Sequence, residues 1–600
     1  MQQLSSTTSL INVGKQAWWV GTIVLACLVY GWQTGSPIVP RWFVIYCTAA
    51  GAAVWFICAT WKETPLAVSR SELAFLALFA WASLSLFWSS DWRHGALTLE
   101  AAAALLVLFM CFRRLDSKLL LQIAAIFAPV SFAFAISFGF KHQEIYGGFG
   151  NENFQAEWML ITFPFLVYSW MSLRHGFVIL RYVSLALTPV ALYFLLFVNL
   201  SDTKWVAASM AMLTFIAYLV KRQKYSWAII IALIPPNIAL WSGWLTSPII
   251  VKSIAHRLEI GFNTAMLWLE KPYFGHGLGS FNYEYGRVQE AHLKFFPQFD
   301  TVLHPASIFA GAAHNEFLQL AAETGIIGFA AALVVLFCLL SNKRAVNVST
   351  TALTPLRVAA LISLMIGLGI ACIGFPFQNP AAIMMLIIAA AISTRGEQAW
   401  TVNLRGWSRK GFTFMATVAA FMLVYNGAWA LRAEQGFAVV RHYIEQDTPI
   451  ALAANIKTYQ MFPFERRYRH QFSLTVASLL KKAHGHVEIT DEAADEAFRI
   501  ARTASPYLPA VLMVRLEYLL NTTRWQTERE EIETLLAYLR THASRQPGVW
   551  VAEGSYALFV GDAERSWRAI QTGRSLPAGE SHAAQFAELY SKLDITEISP

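Results

Sequence analysis

Apolar stretches long enough to cross a membrane alternate with short polar turns over the first 431 residues. A membrane-spanning helix needs about 20 mostly apolar residues, and about 13 stretches of the chain approach that length. They lie at 17–32, 42–61, 72–90, 95–112, 119–140, 154–172, 178–199, 204–220, 226–246, 315–340, 356–375, 378–394 and 411–431. The pattern predicts an all-α, polytopic helical membrane protein.

The composition supports this prediction. Of the 600 residues, 56% are hydrophobic and 14% are charged, whereas soluble domains average about 25% charged residues. The formal charge of +8 is what basic cytoplasmic loops produce, so we expect membrane lipids and no nucleic acid as partners. All six cysteines fall inside apolar stretches without metal-ligand spacing, so we expect neither a disulfide framework nor a zinc site.

The distribution of Lys and Arg predicts the orientation. With the N-terminus in the cytoplasm, every even-numbered turn is basic; these turns lie at 61–70, 113–118, 174–181, 221–224, 343–344 and 395–410. The opposite side receives the turns near 33–40, 89–94, 141–153, 200–203 and 374–379 and the long loop 247–313. An odd number of spans then places residues 432–600 on that same side.

Residues 432–600 differ in composition from the rest of the chain. Charges are dense, and alanines and aromatics recur at helical spacing between prolines such as Pro506, Pro547 and Pro577. We therefore expect two domains, a membrane domain at 1–431 and an α-helical domain at 432–600. Helix pairs separated by prolines every 30–40 residues predict a tetratricopeptide-like solenoid, and an ordinary helical bundle remains the alternative.

Several polar residues lie near the predicted non-cytoplasmic ends of the spans. The first group follows glycines 147, 148 and 150, which permit close backbone approach to a ligand. Its members, together with a carboxylate on the fourth span, are Asn151, Asn153, Gln155, Glu157 and Glu100. A tight turn with a polar cap would explain the first residues. A carboxylate inside a membrane helix is costly and normally lines a polar cavity.

Two cations on the same side suggest an anionic ligand. Lys204 follows Ser201 and Asp202, which are ordinary helix caps, but a cation at a helix start opposes the helix dipole. Arg257 begins an amphipathic segment that continues to Glu270. Helix N-termini and cations together bind phosphate groups.

Two further motifs follow in the chain. The glycines of Gly275-x-Gly277-x-Gly279 have no strand before them, so they do not indicate a dinucleotide-binding fold. His314 and Asn315 then stand where the long polar loop meets the span 315–340, and Gly325 interrupts that span. A lone histidine there is more often structural, and the neighbouring cations and amides favour a functional role.

These motifs resemble those of the O-antigen ligase superfamily, which includes lipopolysaccharide O-antigen ligases, protein O-oligosaccharyltransferases and related polysaccharide polymerases. The matching residues are Gly150, Asn151 and Asn153, then Arg257 leading to Pro272 and the three loop glycines, and finally His314 followed by Gly325. The resemblance implies a metal-independent, inverting glycosyltransferase of the bacterial inner membrane. Its donor would be a glycan on undecaprenyl diphosphate, and its acceptor a hydroxyl on the periplasmic side.

The resemblance also implies roles for single residues. Arg257 and Lys204 would bind the diphosphate, and His314 would assist the acceptor hydroxyl. Asn151, Asn153, Gln155, Glu157, Glu100 and Asn315 are further candidates for lining the substrate cavity. The family usually has an arginine where Lys204 stands, so that role is less secure, because lysine binds phosphate as a point charge. No Asp-x-Asp pair lies in the loops, and we expect no metal and no cofactor.

Lipid A core, a protein Ser or Thr and the end of another glycan remain open as acceptors, and the last would make the protein a polymerase. A transporter or flippase of lipid-linked glycans is a further alternative, favoured by the break at Pro235-Pro236 but lacking visible repeated halves. A non-catalytic scaffold would leave the clustered polar residues unexplained.

Overall fold

A computed structural model describes residues 18–26, 29, 38–60, 66–142, 151–172, 178–195, 248–296, 310–341, 353–397, 399–402, 407–444, 446, 448–482, 490–576 and 579–593. The predicted spans at 204–220 and 226–246 therefore lie outside the described residues, as do Lys204 and the glycines 147, 148 and 150.

The first part of the chain is built from long apolar helices. They are α1 (18–26), α2 (Ile38–Thr60), α3 (Arg70–Ser85), α4 (Trp92–Arg114), α5 (Ser117–His142), α6 (Glu152–Ser172), α7 (Val178–Tyr193), α8 (Pro248–Glu270), α9 (Phe281–Glu284), α10 (Glu316–Leu340), α11 (Leu353–Ala371), α12 (Pro380–Ser393) and α13 (Trp407–Tyr443). Short 3-10 helices lie at Leu86–Trp88, Tyr285–Arg287 and Ala291–Lys294. Two short strands, β1 (Leu66–Ser69) and β2 (Ala399–Val402), pair antiparallel.

The protein is a polytopic helical membrane protein, as predicted. Six helical segments in the described part of the chain are long and apolar enough to cross a membrane, and α7, α11 and α12 are apolar but shorter. Every residue of α12 is buried, so this helix lies inside the bundle. The total of about 13 spans stays a prediction.

Polar turns gather at the two ends of the helical bundle. At one end, Arg113 donates to Ser69 and to the Thr394 carbonyl oxygen, and pairs with Glu72 and Glu397. We call this the Arg113 end. At the other, which we call the His314 end, the predicted non-cytoplasmic turns meet: Asn379 donates to the Phe154 carbonyl oxygen, and Ser89 donates to that of Leu278. Which compartment each end faces stays a prediction.

The C-terminal part consists of shorter helices. They are α14 (Thr448–Met461), α15 (Arg466–Lys482), α16 (Asp491–Ala504), α17 (Pro509–Leu520), α18 (Arg529–His542), α19 (Pro547–Phe559), α20 (Ala563–Ser575) and α21 (Ala583–Ser591). Short 3-10 helices lie at Thr523–Gln526 and Gly579–His582. The helices pack on sequence neighbours and on the next but one, α15 on α17 and α17 on α19. Such stacking is typical of a helical solenoid, and the tetratricopeptide assignment stays a prediction.

One helix joins the two parts. The span predicted at 411–431 continues without a break to Tyr443, so the boundary predicted at 432 lies inside a helix. Its last turns carry Ala433, Phe437 and Val440, which form a core with Ala451 and Tyr468 of the C-terminal helices. The sequence missed this continuation because Arg432 and Glu434 suggested the start of a polar domain. Glu434 is instead buried, where it pairs with Arg467 and accepts from the Tyr468 hydroxyl.

Candidate functional site

His314 stands directly before α10 in an unusual backbone conformation. Its φ of 51° is the only positive value of a non-glycine residue in the described part of the chain. A left-handed backbone at such a residue costs about 1–3 kcal/mol and persists where the surroundings enforce it, often at functional sites. Asn315 follows as the cap of α10, and its side chain accepts from the Leu318 backbone N–H at 2.9 Å. The predicted helix tip is therefore confirmed.

The glycine break in α10 holds a loop from the other side of the site. Gly325 has φ 69° and ψ −173° inside the helix, which frees the carbonyl groups before it. The backbone N–H groups of His276 and Gly277 donate to the oxygens of Ala322 and Glu323 at 3.0 and 2.7 Å. The loop and the kink thus complete each other's hydrogen bonding.

The three glycines of that loop serve packing. Gly275, Gly277 and Gly279 all have positive φ, and a Cβ at Gly277 would lie 2.2 Å from the Ser89 Cα. The Glu323 carboxylate accepts from the Gly279 backbone N–H at 2.8 Å. These N–H groups are occupied, so the loop positions α10 and His314 and is not itself a phosphate cradle.

Glu157 anchors the turn 374–379 at the same end. Its carboxylate accepts from the Phe375 backbone N–H at 3.4 Å and from the Asn379 side chain at 3.3 Å. Asn379 also caps α12, where its side-chain oxygen accepts from the Ala382 N–H. The predicted buried carboxylate therefore has partners, which a membrane-embedded charge requires.

The turn 374–379 brings Glu157 and His314 into one cluster. Glu316, on the first turn of α10, accepts from the Phe377 backbone N–H at 3.2 Å. The ring of Phe375 lies 5.0 Å from the ring of His314 in an edge contact. Sequence reasoning treated this turn only as a topological marker and missed Glu316 and Asn379. The signal was present, because Gln378 and Asn379 are polar residues between two strongly apolar helices.

Arg257 and His314 act on each other. Burial lowers the pKa of the His314 imidazole to about 4, and the positive charge of Arg257 lowers it further in the same direction. Both side chains are half-buried. The structure therefore brings together the arginine of α8 and the histidine before α10, and the histidine is neutral at neutral pH.

A long apolar cavity of about 660 Å³ begins beside this cluster. Its wall includes Phe154, Glu316, Phe317, Phe377 and Gln378 at the His314 end. Along α10 it reaches from Glu316 to Leu339, which is about 35 Å at about 1.5 Å per residue. The rest of the wall comes mainly from apolar residues of α2, α3, α4, α12 and α13.

The remaining predicted residues occupy different places. Glu100 lines the cavity and faces Asn426 of α13, away from the turn held by Glu157. Asn151 is exposed, and its side chain accepts from the Asn153 N–H, so it shapes the turn before α6. Gln155 is buried beside them. Asn153 is half-buried.

Residues 187–333 match the family model of the O-antigen ligase. Over these residues, about a quarter of its length, the chain is similar to O-antigen ligases, in agreement with the resemblance of its motifs to that superfamily. The matched range of the ligase domain contains Arg257, the glycine loop, His314 and the Gly325 kink. Glu157, Asn379 and the C-terminal helices lie outside it. No curated protein matches the chain.

Members of the O-antigen ligase family are glycosyltransferase-like membrane enzymes that work on lipid-linked glycans and their acceptors.

Proposed function

We propose that the protein transfers a glycan from undecaprenyl diphosphate to an acceptor hydroxyl on the periplasmic face of the bacterial inner membrane, as an O-antigen ligase-type transferase. The observation that carries the proposal is that a neutral His314 lies in the field of Arg257, two residues before Glu316, which lines one end of a long apolar cavity. Cation, base and lipid channel are the three parts that this reaction needs.

In the proposed reaction, the acceptor oxygen attacks the anomeric carbon of the donor sugar from the side opposite the diphosphate. The new bond between acceptor oxygen and sugar carbon forms as the bond from that carbon to the phosphate oxygen breaks. The leaving undecaprenyl diphosphate takes the bonding electron pair, and the acceptor proton passes to the neutral His314 imidazole. Inversion follows from this single displacement.

Arg257 supports the departure of the diphosphate. A fixed cation stabilises the negative charge that develops on the leaving oxygen, and it does so more strongly in a site that excludes water. The same interaction tunes the histidine. The bound diphosphate offsets the charge of Arg257, so the pKa of His314 rises when donor is present and the imidazole becomes a better base.

Lys204 remains a proposed second diphosphate ligand, and Glu157, Asn153, Gln155, Asn315 and Glu100 remain proposed cavity residues. Glu157 and Asn315 act by holding the turn and the helix start around His314. Metal ions have no step in this scheme.

The acceptor decides between ligase and polymerase. Lipid A core or a protein Ser or Thr would make the protein a ligase, and a second glycan chain would make it a polymerase. The helical C-terminal domain, which adjoins the His314 end, favours an acceptor large enough to need a docking surface.

The decisive test combines the purified full chain in liposomes with a lipid-linked glycan and three acceptors: lipid A core, a Ser- and Thr-containing protein, and a free glycan. Mass spectrometry of the product identifies the acceptor. His314→Ala and Arg257→Ala should each lower transfer at least 100-fold, as loss of a general base typically does.

The matched controls are His442→Ala and Arg499→Ala, which change the same residue types at exposed positions and should transfer normally. A His314→Ala protein that is well folded and transfers at the wild-type rate would overturn the proposed role.

A further inference from the structure

A cation of the C-terminal domain reaches the apolar cavity of the membrane helices. Arg466, the first residue of α15, lines the cavity together with Gly279 of the loop that follows α8 and Asn282 of α9. Its Nη1 atom is buried and has no hydrogen-bond partner among the described residues. A buried guanidinium nitrogen without a partner is costly and calls for an explanation.

The arginines beside it are satisfied. Arg467 pairs with Glu434 at 3.1 Å and with Glu465 at 3.2 Å. Arg469 makes a buried pair with Asp91 at 2.9 Å. Glu465 and Asp91, whose charges act on Arg466, are therefore engaged by other arginines. Glu323, which also lies in the field of Arg466, accepts from the Gly279 backbone N–H.

A histidine from the membrane helices lies at the same place. His94, on the first turn of α4, lines the cavity beside Arg466 and Glu465, and its Nδ1 atom is buried without a hydrogen-bond partner in the described part of the chain. On the other side of Arg466, burial and then the Arg466 charge lower the pKa of His470 to about 4. Arg466 Nη1 and His94 Nδ1 are thus two buried polar atoms at one place on the cavity wall that have no hydrogen-bond partner among the described residues.

The cavity beside this cation has the mainly apolar wall and the length that a lipid chain requires. Its wall along α4, α10 and α12 is mainly apolar, with polar residues such as Glu100 and Glu323 in it. Its reach of about 35 Å along α10 exceeds the thickness of the bilayer hydrocarbon core, about 30 Å. A ligand that fills it has a long apolar tail and an anionic group at the His314 end.

We propose that Arg466 and His94 bind the phosphate head of a lipid whose hydrocarbon chain occupies the cavity. This site is formed jointly by the C-terminal domain and the membrane helices. It rests on the proposed function in so far as it uses the same lipid cavity, but its phosphate contacts are Arg466 and His94 and not Arg257 or His314. Guanidinium and imidazole N–H groups are strong phosphate donors in a site with little water. Both a polyprenyl phosphate and a glycerophospholipid carry this chemistry, and the length of the cavity favours the polyprenyl chain.

Binding measurements on the full chain in detergent, by native mass spectrometry, test the site with three lipids: undecaprenyl phosphate, undecaprenol and phosphatidylglycerol. Arg466→Gln should weaken binding of undecaprenyl phosphate at least 10-fold and leave binding of undecaprenol unchanged, because only the phosphate contacts the guanidinium. Arg466→Lys should retain most of the affinity. Arg499→Gln is the control for loss of one exposed positive charge.

The outcomes separate the possibilities. The phosphate lipid whose affinity falls more in Arg466→Gln is the one that the site binds. A loss of affinity for either undecaprenyl phosphate or phosphatidylglycerol supports the site. Equal binding of both phosphate lipids by wild type and Arg466→Gln overturns it. Since binding is measured without transfer, failure here leaves the proposed transferase reaction untouched, and loss of transfer in His314→Ala leaves this site untouched.

Discussion

At the scale of single residues, His314 combines three constraints that a structural histidine does not need. It has a strained backbone, it is half-buried against Phe375, and its ring lies in the field of Arg257. The sequence predicted its position at the helix start and its neighbourhood to Arg257. It could not predict the left-handed conformation or the contact with Phe375, which lies about 60 residues away in the chain.

The lowered pKa of His314 makes a prediction for the pH dependence of transfer. In free enzyme the imidazole has a pKa of about 4, so it stays neutral as pH falls through the ordinary histidine range near 6.5. The acid limb of kcat/KM, which reports the free enzyme, should therefore lie well below pH 6. Arg257→Gln removes a cation and should move that limb to higher pH while lowering the rate.

The measurement is kcat/KM from pH 4 to pH 8 for wild type, Arg257→Gln and Arg499→Gln. The last variant should keep the wild-type limb. A wild-type limb near pH 6.5, or one that does not move in Arg257→Gln, would contradict the electrostatic coupling of the two residues.

At the scale of elements, the glycine loop and the α10 kink form one unit. In the sequence, Gly275, Gly277 and Gly279 are related to Gly325 only as motifs that resemble those of one family. The structure shows the physical reason, since the loop N–H groups bind the carbonyl groups that the kink exposes. A contact between two such distant segments cannot be derived from local patterns. The positions of the helices could be predicted from the sequence, because they depend on local periodicity.

Gly325→Ala should disrupt this unit. A Cβ at position 325 would lie 2.0 Å from the Tyr273 carbonyl oxygen, and the left-handed φ adds about 1–3 kcal/mol of strain. We expect a lower thermal midpoint and a loss of transfer because His314 moves. The control is Gly261→Ala in α8, where a Cβ meets nothing within 4 Å and should stabilise the helix by about 0.5–1 kcal/mol. A Gly325→Ala protein as stable as Gly261→Ala would contradict the proposed dependence of the fold on the contact between the glycine loop and the α10 kink.

At the scale of the whole molecule, a buried ion pair fastens the C-terminal domain to the membrane helices. Arg469 contacts both carboxylate oxygens of Asp91 at 3.0 and 2.9 Å, and both side chains are almost fully buried. Glu290 also accepts from the Ser544 hydroxyl and from the backbone N–H groups of Ser544 and Arg545, which follow α18. The sequence predicted a separate helical domain and could not show where it attaches, since Asp91 and Arg469 are 378 positions apart.

Asp91→Asn tests this attachment. Asparagine keeps the cap of α4 but leaves the Arg469 charge unpaired, which costs about 3–5 kcal/mol in a buried site. Amide hydrogen exchange in α15 should accelerate accordingly. Arg499→Gln breaks an exposed pair with Glu496, worth about 0–1 kcal/mol, and should leave exchange in α15 unchanged. Equal exchange in both variants would show that the domain is held elsewhere.

The continuous helix α13 has a mechanical consequence. Its 37 residues span about 55 Å, whereas the bilayer core accounts for about 30 Å. The continuous helix therefore sets both the distance of the C-terminal domain from the bilayer and its rotation about the helix axis. One residue inserted into α13 would rotate the C-terminal domain by about 100° about the helix axis and would move Arg466 away from the apolar cavity. Seven inserted residues would nearly restore the rotation of the domain but would move it about 10 Å further along the helix axis. The length of α13 therefore determines whether Arg466 can reach the cavity.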